Sequence, residues 1–273
     1  MSHPSAAWAG PTPAGARVVE DPDELVDFYS DAPAAHIYAL VDSEPPWFPL
    51  SRWYRRGEAI VGLISDTPGE LLTAYAVATR DAAATIDLLA DIAAWLPSGL
   101  LITGPLGFAE VLSADRDLAW SGPHERYVLD ALTSDAPKLD ADVDVELAPL
   151  GYRDVAEIEA FYAVDPGAAF FIPSMLADAT FVGVRVDGRL VAAAGTHLVS
   201  EQKGLAAIGS VFVHPEYRGR SFGEAVTRGV IDRLSGRIDT VGLNVASENA
   251  PARRIYERLG FRPILTYEEA ELA

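Results

Sequence analysis

The segment Gly209–Thr227, GSVFVHPEYRGRSFGEAVT, constrains the fold of this chain more than any other part of it. An apolar stretch ends at Val213, and Pro215 stops ladder pairing. From Phe222 onward an apolar residue returns every fourth position up to Leu234, which is typical of an amphipathic helix. A strand that leads into such a helix is a building unit of folds that mix helices and strands. The sequence therefore predicts an α/β (α+β) fold.

The turn between this strand and this helix has the composition of an anion site. Its residues are Arg218, Gly219, Arg220, Ser221, Phe222 and Gly223. Glycine lets consecutive backbone N–H groups point at one place, and a helix start adds unsatisfied donors and a partial positive charge. A diphosphate fits such donors, although the spacing is neither GxxxxGK[ST] nor GxGxxG. The alternative is a solvated turn, with Gly223 present only because another backbone packs against it.

Charge and composition restrict the partners of the chain. It has 21 Lys+Arg against 40 Asp+Glu, a net charge of -19, so its average surface repels nucleic acids and anionic membranes. With no cysteine and five histidines, thiolate sites are excluded and we expect no metal. We find no run of about 20 apolar residues and no basic, apolar leader, which favours a cytoplasmic protein.

The acidic segment Thr133–Asp144, TSDAPKLDADVD, separates two regions of apolar periodicity and is interpreted as a linker. We expect a disordered tail at 1–15, an N-terminal α/β domain of unknown role at 16–138 and a C-terminal domain at 139–273. Periodicity and turn residues predict further elements. The expected helices are Asp21–Tyr29, Asp81–Trp95, Tyr152–Ala163, one from Ser221 and Ala250–Leu259. The expected strands are Ala59–Ser65, Leu71–Thr79, Gly99–Thr103, Asp144–Leu150, Thr180–Val186, Leu190–Val199, Leu205–Val213, Thr240–Val245 and Phe261–Tyr267.

The turn at Arg218–Gly223 resembles the acyl-CoA-binding motif of the GNAT superfamily of N-acetyltransferases, a strand followed by [Q/R]-x-x-G-x-[G/A] at a helix start. One position departs from the pattern, because Ser221 stands where the family usually has glycine. A second segment, Leu243–Phe261, is similar to the strand–Asn–helix–Tyr–Gly-Phe element that closes the cofactor site. The resemblance covers about Val145 to Glu268 and implies a GNAT-like mixed sheet flanked by helices.

A weaker resemblance concerns the run from Ala168 to His197, which is similar to the glycine N-acyltransferase-like branch of that superfamily. That branch often carries an N-terminal domain of related fold. By analogy, the N-terminal domain here is expected to have a related fold. The sequence leaves open whether the chain forms a homodimer.

The family resemblance implies transfer of an acetyl group from acetyl-CoA to a primary amine, of a small molecule or a peptide, by direct attack in a ternary complex. It implies roles for residues along the motif. Val211, Phe212 and Val213 would offer backbone groups to the pantetheine arm, and the turn from Arg218 to Gly223 would hold the diphosphate. Asn249 would contact the arm, although its place before Ala250-Pro251 also makes it a helix N-cap.

Tyr256 is the candidate proton donor to the departing sulfur. It shares a helix face with Ala252 and Leu259 by i, i+4, i+7 spacing, so its ring points inward. The resemblance implies that the phenol stabilises or protonates the CoA sulfur. The alternative is a core tyrosine with a satisfied hydroxyl.

The general base is harder to assign from the sequence. Many members of the family use a Glu on the strand before the loop, but Leu205–Val213 contains no carboxylate. His197 is the best remaining candidate, because an imidazole near its reference pKa of about 6.5 suits a general base at neutral pH. The alternatives are that water relays the proton, or that His197 is purely structural. Two features leave a second function open, a non-catalytic acyl-CoA-binding regulatory module. The first is the missing carboxylate, and the second is Ser221, a serine that this position tolerates if its φ is negative.

Overall fold

The computed structural model describes residues 10–65, 71–133, 145–178 and 180–273. The chain divides into two compact units. The first contains the chain up to Arg126 together with Ala246–Glu248 and Ile264–Ala273, and the second contains Tyr127–Val245 and Asn249–Pro263. The expected domain boundary at 138, the linker after Thr133 and residues 1–9 of the expected tail lie outside the described residues.

Strands and helices are interspersed along the chain. The strands are β1 (Arg17–Val19), β2 (Arg52–Arg56), β3 (Ala59–Ile64), β4 (Thr73–Tyr75), β5 (Leu101–Gly104), β6 (Leu118–Leu129), β7 (Val145–Pro149), β8 (Val182–Val186), β9 (Arg189–Ser200), β10 (Leu205–Val213), β11 (Thr240–Ala246) and β12 (Phe261–Leu272). The α-helices are α1 (Pro22–Tyr29), α2 (Ile37–Asp42), α3 (Trp47–Leu50), α4 (Ala82–Ala93), α5 (Phe108–Leu112), α6 (Val155–Tyr162), α7 (Phe222–Leu234) and α8 (Ala250–Leu259). Short 3-10 helices lie at Tyr152–Asp154, Pro173–Asp178 and Pro215–Tyr217.

The first unit is built on antiparallel pairs from β1 to β4, followed by a parallel pair of β4 with β5. Parallel neighbours need a crossover connection, and α4 supplies it. The Asp81 side chain caps this helix by accepting from the Ala84 amide at 2.9 Å. Leu88, Leu89 and Ile92 are fully buried in the core of this unit.

The second unit repeats this scheme with longer strands. β7, β8, β9 and β10 are paired antiparallel in that order, and β10 is paired parallel with β11. The crossover is α7, whose apolar stripe, Phe222, Val226, Val230 and Leu234, is buried in the core of this unit. Residues 214–221 connect the end of β10 to the start of this helix.

The mixed α/β fold is confirmed, and two elements have the predicted bounds: β10 at Leu205–Val213 and α8 at Ala250–Leu259. α6 starts three residues later than expected because Tyr152–Asp154 is a 3-10 turn, whereas β12 runs on to Leu272. The elements without a sequence prediction are β1, β2, β6, α2, α3 and α5. Within the described ranges, no α-helix combines the length and hydropathy that crossing a bilayer requires.

Candidate functional site

The parallel strands β10 and β11 separate half-way along their length. Their register runs from Leu205 opposite Thr240 to Ile208 opposite Leu243, and stops there although both strands continue. The edge of β10 from Gly209 to Val213 therefore has no ladder partner on the β11 side among the described residues. The predicted arm-binding residues Val211, Phe212 and Val213 lie on this unpaired edge. Its backbone groups can add a strand-like ligand.

A β-bulge lies at the same place on the other side of β10. Gly209 is opposite Gly195 of β9, but the next pair is Phe212 opposite Ala193, so β10 carries one extra residue there. Ser210 adopts a left-handed conformation, with φ of 53°. A bulge bends its strand and increases the local twist. The bulge therefore lies next to the point where β10 leaves β11.

The turn from β10 to α7 presents a row of free backbone amides. Gly219 and Ser221 have φ of 80° and 62°, so two left-handed residues precede α7. Backbone turns of this kind can form a concave nest of N–H groups. Across the described chain, no acceptor is recorded for any amide from Gly219 to Glu224, and the first bond of the helix runs from Ala225 N to Ser221 O at 3.0 Å. We call residues 219–224 the amide cradle.

Packing inside the protein does not explain why residue 223 of the cradle is a glycine. A Cβ at Gly223 would lie 3.4 Å from Val213 Cγ2 and 3.6 Å from Ile255 Cδ1, which are ordinary contacts. Gly229 of the same helix differs, because its Cβ would come within 3.0 Å of Val182 Cγ1. The glycine at 229 is explained by packing inside the protein. The alternative explanation of Gly223, a backbone packed against it, is therefore not supported, and the space in front of it suits a bound group.

Two arginines bring positive charge to the cradle of this acidic protein. Arg218 is exposed, with its Nε 3.3 Å from Val213 O and its Nη2 3.5 Å from Asp165. Arg220 is exposed, and its guanidinium lies 5.3 Å from the ring centroid of Tyr217. Phe222 is 2% exposed and anchors the first turn of α7 in the core. The cradle thus lies beside two exposed cations, which can attract an anion to its donors.

The helix α8 begins and ends as its sequence indicates. The Asn249 side chain accepts from the Ala252 amide at 3.2 Å, and Gly260 ends the helix with φ of 99°. The N-cap role of Asn249 is confirmed, and its contact to a cofactor arm stays a prediction. Tyr256 is 6% exposed, and its ring meets Phe261 edge to face. Burial raises the pKa of Tyr256 to about 12, so its hydroxyl keeps its proton at neutral pH.

His197 lies at a second irregularity, where β9 carries one extra residue between the partners of Ala207 and Ile208. Its ring covers Gly209, where a Cβ would come within 2.1 Å of Nε2, so only glycine fits there. Phe170 packs edge to face against the same ring. Burial lowers the pKa of His197 to about 4. The expectation of a pKa near the reference value was wrong: the imidazole is neutral at pH 7, but it is a weaker base.

Metal ligands are scarce around this site. No group of three or more His, Cys, Asp or Glu side chains in the described ranges could hold a metal ion.

Ser221 does not meet the condition under which a serine is tolerated at this position, because its φ is positive. At φ of 62° a residue with a Cβ costs about 1–2 kcal/mol relative to glycine, and the Ser221 side chain makes no capping bond to offset this. We expect Ser221→Gly to raise the free energy of unfolding by about 1 kcal/mol in urea titrations, without weakening CoA binding. Ser221→Ala, which keeps the Cβ, should show no gain. A loss of stability in the glycine variant would contradict the strain.

The comparisons with known proteins bear on the second unit. Residues 151–261 match the profile of the Acetyltransferase (GNAT) family. This segment is similar to GNAT acetyltransferase domains. It contains the strand gap, the amide cradle and α8. Among curated relatives, the mycothiol acetyltransferase of Beutenbergia cavernae is 34% identical over 110 residues, which cover 39% of this chain and 34% of that protein. The matches span about a third or less of the curated mycothiol acetyltransferases.

Solved structures extend the likeness in fold over nearly the whole chain. A GCN5-related N-acetyltransferase from Sphaerobacter thermophilus covers 96% of this chain and 97% of its own, with a TM-score of 0.59 at 16% identity. A tandem GNAT protein from the clavulanic acid biosynthesis pathway covers 93% and 97%, with a TM-score of 0.55 at 17% identity. These likenesses concern the fold alone. The glycine N-acyltransferase-like branch stays a prediction.

Sequence reasoning missed Tyr162 and Ser210, which lie at the bulge. The available signal was Gly209-Ser210 inside an otherwise apolar strand, because an isolated glycine in a strand pattern indicates a bulge or a close approach. The sequence contained no sign that the bulge would be bonded to the end of α6.

Proposed function

We propose that this protein is an acyl-CoA-dependent N-acetyltransferase, which moves an acetyl group from acetyl-CoA to a primary amine by direct attack in a ternary complex. The observation that carries the proposal is the amide cradle at 219–224, whose donors have no acceptor within the described chain. It follows the unpaired edge of β10, and residues 214–218 connect the two. A diphosphate with an amide-bearing arm matches this order of groups, because the anion needs the donors and the arm needs a strand edge.

Each part of the site has a chemical task in this proposal. Acetyl-CoA supplies an activated thioester. The cradle and the two arginines hold the diphosphate, the β10 edge orients the arm, and Asn249 contacts the arm from the start of α8. The amine nitrogen forms the new C–N bond while the C–S bond breaks. The hydroxyl of Tyr256 gives its proton to the departing sulfur, and His197 takes the proton that the amine loses.

The first test is binding of CoA, measured by isothermal titration calorimetry, followed by release of free thiol from acetyl-CoA with a panel of primary amines. We expect CoA to bind to the protein and at least one amine to give thiol and an N-acetyl product in equal amounts. The panel should include small amines, amino acids and peptides, because the similarity to known acetyltransferases does not fix the acceptor. Absence of CoA binding at millimolar concentration would overturn the proposal.

A non-catalytic acyl-CoA-binding module is the second candidate. Two observations favour it: Ser221 occupies a left-handed position that suits glycine, and β10 offers no carboxylate as base. A module would bind CoA in the same calorimetric experiment and release no thiol with any amine. Formation of an N-acetyl product from any amine would exclude the module and support the enzyme.

The acidic limb of the pH profile tests His197 as the base. Its pKa of about 4 leaves it unprotonated above that pH, and protonation below it would remove the lone pair that accepts the amine proton. We expect protonation of His197 to cause no loss of kcat between pH 8 and about pH 5, so a loss of kcat in that range would come from protonation of the amine. His197→Gln should lower kcat about 100-fold without changing CoA affinity. If kcat of this variant stayed within twofold of the wild type, His197 would not be the base, and water would accept the proton from the amine.

A further inference from the structure

The bulged residue Ser210 is bonded to the segment from Tyr162 to Phe170 through its backbone carbonyl and its hydroxyl. The hydroxyl of Tyr162, the last residue of α6, donates to Ser210 O at 2.6 Å. The Ser210 hydroxyl in turn donates to Phe170 O. Ser210 is 5% exposed and Tyr162 8% exposed, so both bonds lie in the interior. The two residues form a clamp across the bulge, which we call the Tyr162–Ser210 clamp.

The clamp holds a conformation that the strand would not adopt by itself. Left-handed backbone is unfavourable for a residue with a Cβ, and a bulge leaves its extra residue without ladder bonds. The carbonyl of Ser210 would otherwise be a buried acceptor without a partner, which is costly. The Tyr162 hydroxyl supplies that partner, and burial raises the pKa of Tyr162, which keeps the proton on the donor.

The position of the clamp links it to the candidate site. Pairing of β10 with β11 ends at Ile208, and the extra residue of β10 lies between Gly209 and Phe212. The path of Val211–Val213 along the gap is therefore set by the conformation of Ser210. We infer that Tyr162 is a positioning residue, which holds the Ser210 bulge and through it the strand edge that binds the CoA arm. This inference rests on the proposed function.

A purely structural role is the competing explanation for Tyr162. Its ring stacks on Phe171 and lies against Phe161 and Phe212, so it also contributes to the core. Tyr162→Phe keeps these ring contacts and removes only the hydroxyl. A matched control is Tyr127→Phe, because the fully buried Tyr127 also has a bonded hydroxyl, 3.2 Å from Glu257 and 3.1 Å from Arg253 Nε. The control loses a comparable bond away from the bulge.

The experiment measures CoA affinity by calorimetry, thermal stability, and hydrogen exchange of the peptide Gly209–Val213 in ligand-free protein. We expect Tyr162→Phe to weaken CoA binding about fivefold, to raise the KM for acetyl-CoA by a similar factor with little change in kcat, and to quicken exchange in that peptide. Tyr127→Phe should lower the melting temperature about as much as Tyr162→Phe does, and it should leave CoA affinity and hydrogen exchange unchanged. Ser210→Ala, which removes the bond to Phe170, should change affinity in the same direction as Tyr162→Phe.

The outcomes separate this inference from the proposed function. If the wild type binds CoA, and the two tyrosine variants lose stability alike with unchanged affinity and exchange, the clamp has no positioning role. If the wild type does not bind CoA, the proposed function fails, and the arm-binding role fails with it.

Discussion

Gly223→Glu is expected to lower CoA affinity at least about 100-fold, beyond what calorimetry can follow, while the protein stays folded. The side chain would start from a Cβ that the protein itself tolerates, since its nearest neighbours would lie 3.4 and 3.6 Å away. Its carboxylate would then stand before the amide cradle and take the donors meant for the diphosphate. Bulk and like charge act together, so the ligand loses both space and attraction.

Three further glycine variants separate these effects. Gly223→Gln has nearly the same bulk without charge and should weaken binding less than Gly223→Glu. Gly223→Ala should gain about 0.5–1 kcal/mol of stability as a helix residue and still weaken CoA binding. Gly229→Ala is the control, because its Cβ would press on Val182 at 3.0 Å: it should lose stability and keep its affinity. Wild-type affinity in Gly223→Glu would contradict the cradle.

The parts of the site that the sequence predicted are those that follow from local backbone chemistry. Pro215 and the glycine-spaced turn predicted the end of β10 and the start of α7, and the structure places both there. Asn249, Pro251 and Gly260 predicted the bounds of α8 through a cap, a first-turn proline and a left-handed terminus. Such signals act within a few residues, so they can be recognised without a fold.

The parts that the sequence did not predict depend on contacts between distant residues. The clamp joins positions 48 residues apart, and the conformation of Ser221 depends on how the whole turn closes. The pKa of His197 also departs from its reference because the fold buries the ring against Gly209. Short elements such as α2, α3 and α5 were missed because they have too few turns to show a helical period.

Tyr256→Phe is expected to lower turnover about 100-fold or more while CoA affinity stays within about twofold of the wild type. The phenol is buried beside Phe261, and burial raises its pKa to about 12, so it is a protonated donor across the neutral range. Phenylalanine keeps the ring and removes the proton that the departing thiolate needs. In the part of the chain that the structure describes, no hydrogen bond to this hydroxyl is recorded, so its removal should change stability little.

The comparison with Tyr127→Phe makes this result specific to catalysis. Tyr127 belongs to the same core cluster as Tyr256, but its hydroxyl bonds to Glu257 and Arg253, so its removal should cost about 1 kcal/mol of stability and leave turnover nearly unchanged. The measurements are thiol release at saturating acetyl-CoA, CoA titration and urea unfolding of both variants. If Tyr256→Phe turned over at the wild-type rate, the proton for the departing sulfur would come from solvent, and Tyr256 would be a core residue whose hydroxyl serves no step of the reaction.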